Sequence, residues 1–190
     1  MAHDDPHDPG HHHHSHRDHG HGESVPEKHK AHAPAYAKVY VITCSDSRTA
    51  ADDEGGRLIK SMLADRGHVL AGSAIVPDEP ARILHELDLA RAAGAQAVLI
   101  TGGTGISRRD STFEAVSQAI ARPLPGFGEL FRMLSFGEIG SAALLSRAAA
   151  GVTRDGLLLF AMPGSPAAVK LACERLILPE LTHLLEELAR

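Results

Sequence analysis

Hydrophobic and polar positions switch between two periods along the chain. KVYVITC (38–44) is apolar and rich in β-branched residues, and predicts a first strand. The polar stretch SDSRTAADDEGG that follows reads as a loop. RLIKSMLADRG (57–67) then takes a helical period, with Leu58, Ile59, Met62 and Leu63 on one face and Gly67 at its end. HVLAGSAIVP (68–77) predicts the second strand. EPARILHELDLARAAG (79–94) predicts the second helix: Pro80 suits its first turn, Ile83, Leu84 and Leu87 its buried face, and Gly94 its stop. AQAVLI (95–100) is the continuous apolar run of a strand covered on both faces. Ser111 and Glu114 have capping-box spacing, so a third helix is expected to start there and to end at Pro123. Residues 124–151 are punctuated by glycine and read as mostly helical. LLLFAM (157–162) predicts another buried strand, and 163–190 one or two closing helices. This alternation predicts an α/β fold, a three-layer sandwich whose largely parallel β-sheet is flanked by helices.

Composition divides the chain. Eleven of its 14 histidines lie in the first 32 residues, among Asp, Gly and Pro. Residues 1–35 hold too little apolar surface for a core and are expected to be a disordered tail before a single domain at 36–190. Neutral imidazoles suit zinc, nickel and copper, so transition-metal binding by the tail and a merely solvated tail both stay open. In the domain, aromatic residues are scarce and tryptophan is absent, which leaves the core to Leu, Ile, Val and Ala.

Charge narrows the function classes. The net charge is −5, which argues against a non-specific nucleic-acid binder. From residue 38 onward there are 16 Lys and Arg against 18 Asp and Glu, a balance of −2, and 13 of those cations are Arg. The planar fork of arginine suits phosphate and carboxylate, so an anionic substrate remains open. The two cysteines, Cys44 and Cys173, form no CxxC motif, in keeping with a reduced, cytoplasmic protein. No apolar run reaches the length of a membrane span, and no signal peptide is visible.

The candidate chemistry lies in the loops after the strands, where open α/β sheets bind their ligands. TCSDS follows the first strand, VPDEP the second, TGGTG the third and MPGSP the last. In TGGTG, Gly102, Gly103 and Gly105 let backbone N–H groups approach a phosphate, and Thr101 and Thr104 add hydroxyls. The alternative is a tight strand-to-helix turn. Asp110 could hold Mg²⁺ or simply favour a helix start. Asp78 could supply a second carboxylate or cap the helix at Pro80. Arg108 and Arg109 could neutralise phosphate or form a solvated pair. In MPGSP, Pro163 and Gly164 lead into Ser165 as N-cap and Pro166 as first helical residue, which builds an anion-attracting helix start. Ser45, Asp46 and Ser47 could touch a ligand or form a turn. Cys44 is expected to be a buried structural thiol, since no histidine is paired with it, and His183 a surface residue.

VITCSDSR, IVPDE, LITGGTGISRRDSTFEA, PGFGELFR, LLSRAAAG and FAMPGSPAAV occur in this order. Together they resemble the MoaB/MogA family of molybdenum cofactor biosynthesis proteins over about residues 38–189. The resemblance implies a molybdopterin-binding α/β domain that assembles as a trimer or hexamer. It implies adenylylation: molybdopterin and Mg-ATP give adenylyl-molybdopterin and pyrophosphate, and a downstream partner inserts molybdate or tungstate. On that basis Asp78 and Asp110 would be catalytic and would position Mg²⁺. Gly102, Gly103, Thr104 and Gly105 would hold nucleotide or pterin, and Ser146 of LLSR and the Ser165 helix start would take the molybdopterin side. Three rivals stand beside this reading: a non-catalytic pterin carrier, a scaffold for metal collected by the tail, and another nucleotide-dependent enzyme on the same fold.

Overall fold

The computed structural model describes Met1 and residues 34–190. The expected His-rich tail and its metal binding lie, from residue 2 to 33, outside the described residues. The strands are β1 Lys38–Cys44, β2 Val69–Val76, β3 Ala97–Thr101, β4 Arg122–Pro123, β5 Ala149–Val152 and β6 Leu158–Met162. They form one sheet in the order β2-β1-β3-β6-β5-β4. The first four in that order are parallel, while β5 runs opposite to them and pairs antiparallel with both β6 and the edge strand β4.

The period-two alternation of the buried strands builds two cores. Val39, Val41, Leu99, Phe160 and Met162 face one side. There they meet α1 (Glu54–Asp65), α4 (Pro125–Ile139), α5 (Pro166–Ala172) and α6 (Leu181–Ala189) through residues such as Ile59, Phe131, Val169 and Leu181. Ile42, Val98, Ile100 and Ala161 face the other side and meet α2 (Pro80–Ala92) and α3 (Thr112–Ala119) through Ile83, Leu87 and Val116. The three layers expected from the sequence are therefore present. Each fully buried side chain of the size of Phe131 or Leu99 contributes about 1.5–3 kcal/mol of transfer free energy.

Three local expectations are corrected. The stretch read as helical through 151 ends earlier: α4 is followed by a 3₁₀ turn, Gly140–Leu145, and then by β5. AAGV carries no strand signal of its own; pairing with β6, Ala149 against Ala161 through Val152 against Leu158, makes it a strand. The first helix begins at Glu54 rather than Arg57, because buried Asp53 caps it. Asp53 Oδ1 accepts from the Gly56 N–H at 2.9 Å, and Oδ2 accepts from the Thr43 hydroxyl at 3.0 Å. His183 is half-buried rather than a surface residue, between Glu180 at 3.0 Å and Glu187 at 3.6 Å. Among the described residues no helix is long and apolar enough to cross a membrane.

Candidate functional site

Parallel pairing of β2, β1, β3 and β6 sets their carboxyl ends on one edge of the sheet. The four loops singled out by the sequence therefore meet. The chain runs from β1 outward to β2 and then returns to β3 on the other side of β1, so a crevice opens beyond β1 and β3. Thr101 Oγ1 donates to Pro163 O at 3.2 Å, and Gly102 N to Met162 O at 3.1 Å, which ties the third loop to the last. Arg48 Nη1 donates to Gly164 O at 3.2 Å and ties in the first. Ser45 N donates to Val76 O at 2.8 Å and joins the first to the second.

The glycine loop is shaped by close approach. Gly102 and Gly103 have φ of 92° and 61°, the left-handed region that favours glycine. A Cβ on Gly102 would stand 2.2 Å from the carbonyl oxygen of Cys44, and one on Gly103 2.2 Å from both Asp78 Oδ2 and Thr112 Oγ1. Beyond them, the N–H groups of Gly103, Thr104, Gly105 and Ile106 donate to no acceptor among the described residues. Successive free N–H groups of this kind form an anion-binding concavity.

Both candidate carboxylates flank this loop. Asp78 is buried beside Gly103, and Asp110 Oδ2 lies 2.6 Å from where a Cβ of Gly105 would stand. Asp78 Oδ1 accepts from Ser111 N at 3.1 Å and from Thr112 Oγ1 at 3.0 Å, with the Ser111 hydroxyl also 3.0 Å away. That leaves Oδ2 as the oxygen turned toward Gly103. Asp110 Oδ2 accepts from Ser107 N at 2.9 Å. Asp78 does not cap α2: Glu79 stands at that position and makes no side-chain cap. The capping box expected at Ser111 and Glu114 is also absent. Ser111 sits at the N-cap of α3, but its hydroxyl turns to Asp78, and Glu114 pairs with Arg147.

The remaining predicted residues sort into ligand-facing and bracing positions. Asp46 Oδ1 accepts from Asp78 N at 3.2 Å, and Oδ2 pairs with Arg109. The Arg109 guanidinium and the Asp78 N–H together hold the Asp46 carboxyl below its usual range. Arg109 therefore already has a carboxylate partner, while Arg108 is exposed. The Ser45 hydroxyl accepts from Ser47 N and Arg48 N, so it shapes its own loop. Ser165 caps α5 as expected, accepting from Ala168 N at 3.2 Å, with Pro166 as the first helical residue. Ser146 is half-buried and ends the 3₁₀ turn beside Arg147. Thr104 is buried, and its carbonyl accepts from Arg147.

Cys44 lies at the crevice floor, yet burial pushes its thiol up to about 12. Cys173, in the opposite core, is likewise pushed up to about 12 by burial. Neither is a nucleophile near neutral pH. In the native protein at pH 8, a thiol reagent is expected to label both about 1,000-fold more slowly than free cysteine, following the thiolate fraction. Rapid labelling of Cys44 without unfolding would contradict this.

Sequence reasoning overlooked two residues. Asp53 carried a readable signal, an Asp directly before Glu at a helix start, hidden by the paired glycines that follow. Arg147 carried none, because its partners Thr104 and Glu114 lie 43 and 33 residues earlier.

The family described as "Probable molybdopterin binding domain" matches residues 40–183. The chain is 48% identical over 166 residues to "Molybdenum cofactor biosynthesis protein B" of Halalkalibacterium halodurans, covering 86% of this chain and 97% of that protein. A crystal structure of molybdenum cofactor biosynthesis protein B superposes with a TM-score of 0.79 at 43% identity, covering 83% of this chain and 99% of that one. The tungsten cofactor synthesizing protein MoaB from Pyrococcus furiosus superposes at 0.77 with 38% identity, covering 83% and 100%. A crevice of four loops on a matching fold, together with this identity across almost the full length of its relatives, places the chain in the MoaB family of molybdenum cofactor biosynthesis proteins.

Proposed function

We propose that the protein is a molybdopterin adenylyltransferase. The observation that carries the reading is the run of free N–H groups at Gly103–Ile106 with a carboxylate at each side, Asp78 and Asp110. A phosphate oxygen of molybdopterin attacks the α-phosphorus of ATP. The new P–O bond forms as the bond to the β-phosphate bridging oxygen breaks, and pyrophosphate departs. Such a displacement needs positioning and charge neutralisation more than a strong base.

Among the described residues no group of three or more His, Cys, Asp or Glu is arranged to hold a metal. The two carboxylates beside the glycine loop, Asp78 and Asp110, suit Mg²⁺, which binds through one or two carboxylates together with substrate phosphates and water. Asp78 Oδ2 and Asp110 are the residues that would hold it, and the ion would neutralise charge developing on the phosphates. The loop N–H groups orient the phosphate chain, and the Ser146 and Ser165 loops take the molybdopterin side. Molybdopterin and ATP are thus the substrates, and the activated product passes to a molybdate- or tungstate-inserting partner.

A homo-oligomer completes the proposal. On α4, Leu130, Met133, Phe136 and Ile139 are exposed, and Leu144 and Leu145 continue that exposure on the 3₁₀ turn. Exposed apolar residues grouped in this way mark an association surface, here for further copies of the chain.

The test is to incubate the purified protein, with and without residues 1–35, with molybdopterin and Mg-ATP. Stoichiometric adenylyl-molybdopterin and pyrophosphate are expected from both forms. Molybdopterin binding without pyrophosphate release would establish a carrier instead.

A further inference from the structure

Resting on the reading of the glycine loop as an anion cradle, we infer that Arg147 is a positioning residue that holds this loop in its anion-receiving conformation. Its guanidinium reaches two consecutive carbonyls of the loop. Nε donates to Thr104 O at 2.8 Å, and Nη2 donates to Gly105 O. Nη1 pairs with Glu114, and the guanidinium carbon lies 4.8 Å from the centre of the Phe113 ring.

The consequence follows from peptide geometry. In a planar trans peptide the C=O and the following N–H point in opposite directions. Pinning Thr104 O and Gly105 O onto Arg147 therefore turns the N–H groups of Gly105 and Ile106 away from it. These are two of the four free donors of the cradle. The preceding Gly102 and Gly103 take φ of 92° and 61°, so the chain enters the clamped segment along a path that favours glycine.

Only arginine suits the position. Its rigid fork spans adjacent carbonyls, whereas a lysine ammonium is a single point charge on a mobile stem. Glu114 and the Phe113 face hold the fork in plane, and Arg147 in turn holds the Glu114 carboxyl below its usual range. Because Glu114 offsets the guanidinium charge, the arginine shapes the loop and does not itself serve as the anion's counter-charge.

The experiment compares the full-length parent with Arg147→Lys and Arg147→Ala. Magnesium pyrophosphate is titrated while the ¹H–¹⁵N resonances of Gly105 and Ile106 are followed, and kcat and KM for Mg-ATP are measured in parallel. In the parent, pyrophosphate is expected to shift both amides. In both variants the shifts shrink, and kcat falls about 100-fold with a near-native melting temperature. Added guanidinium restores part of the shift and of kcat in Arg147→Ala but not in Arg147→Lys. If Arg147→Lys shows parent-like shifts and kcat, Arg147 is only a brace between α3 and the 3₁₀ turn and the inference is overturned. If Arg147→Ala fails to fold, Glu114→Gln, which loosens the same clamp, is expected to lower kcat and both shifts by a smaller factor; no change there overturns the inference. A parent that turns over Mg-ATP without shifting these amides refutes the clamp alone, whereas a parent that neither binds pyrophosphate nor turns over refutes the cradle on which it rests.

Discussion

Asp110→Ala is expected to lower adenylyl transfer by about 1,000-fold while leaving the fold intact, because it removes a carboxylate that would hold the charge-neutralising Mg²⁺ and little else. Asp110 is only half-buried, and the bond its carboxylate accepts from the Ser107 N–H lies within its own loop. Asp78 calls for a different substitution. It is buried and accepts from Ser111 N and Thr112 Oγ1, so alanine would strand those donors at about 1–3 kcal/mol and confuse stability with chemistry. Asp78→Asn keeps an oxygen for them and places a neutral amide where Oδ2 faces Gly103. It is expected to melt near the parent and to lose turnover as Asp110→Ala does. Pyrophosphate release, read beside thermal melting, checks both. If either variant retains more than about a tenth of parental turnover, two-carboxylate positioning of Mg-ATP is wrong.

Alanine at two adjacent glycines is expected to separate fold from function. At Gly102 the new Cβ meets the Cys44 carbonyl at 2.2 Å, and φ is 92°. That oxygen is backbone at the end of β1, and β1 is locked to β3 through Thr43 and Thr101. Neither strand can retreat, so Gly102→Ala should cost about 3 kcal/mol or more, a fall of roughly 6–12 °C in Tm. At Gly103 the Cβ meets the side chains of Asp78 and Thr112, which can rotate, and φ is 61°, within reach of a left-handed alanine at about 1–2 kcal/mol. The smaller loss of stability comes with displacement of Asp78, so Gly103→Ala should be the less active variant among those that remain folded. Calorimetry and turnover on both proteins test this. A fully active Gly103→Ala would mean that Asp78 Oδ2 does not take part.

Much of the fold was legible because β1, β3 and β6 are buried on both faces and so read as unbroken apolar runs. AVLI and LLLF could be little else, and the helices between them carried their own stops at Gly67 and Gly94. The Ser165–Pro166 helix start was equally plain, since its cap is made within a few residues. Where the sequence misled, the deciding partner was distant. Ser111 and Glu114 have the right spacing for a capping box, but the Ser111 N–H and hydroxyl both go to the Asp78 carboxylate and Glu114 pairs with the Arg147 guanidinium, so neither cap bond forms. AAGV became a strand because β6 lay alongside it.

The sequence by itself determined the alternation of elements, the aliphatic core, the inventory of carboxylates and glycines, and the family, because each depends on local order and composition. Only the tertiary structure decided which oxygen of Asp78 faces the glycine loop, and that Arg147 reaches the carbonyls of Thr104 and Gly105. Those facts depend on distances between residues far apart in the chain. Local periodicity does not encode such distances; parallel strand pairing and the burial it imposes create them.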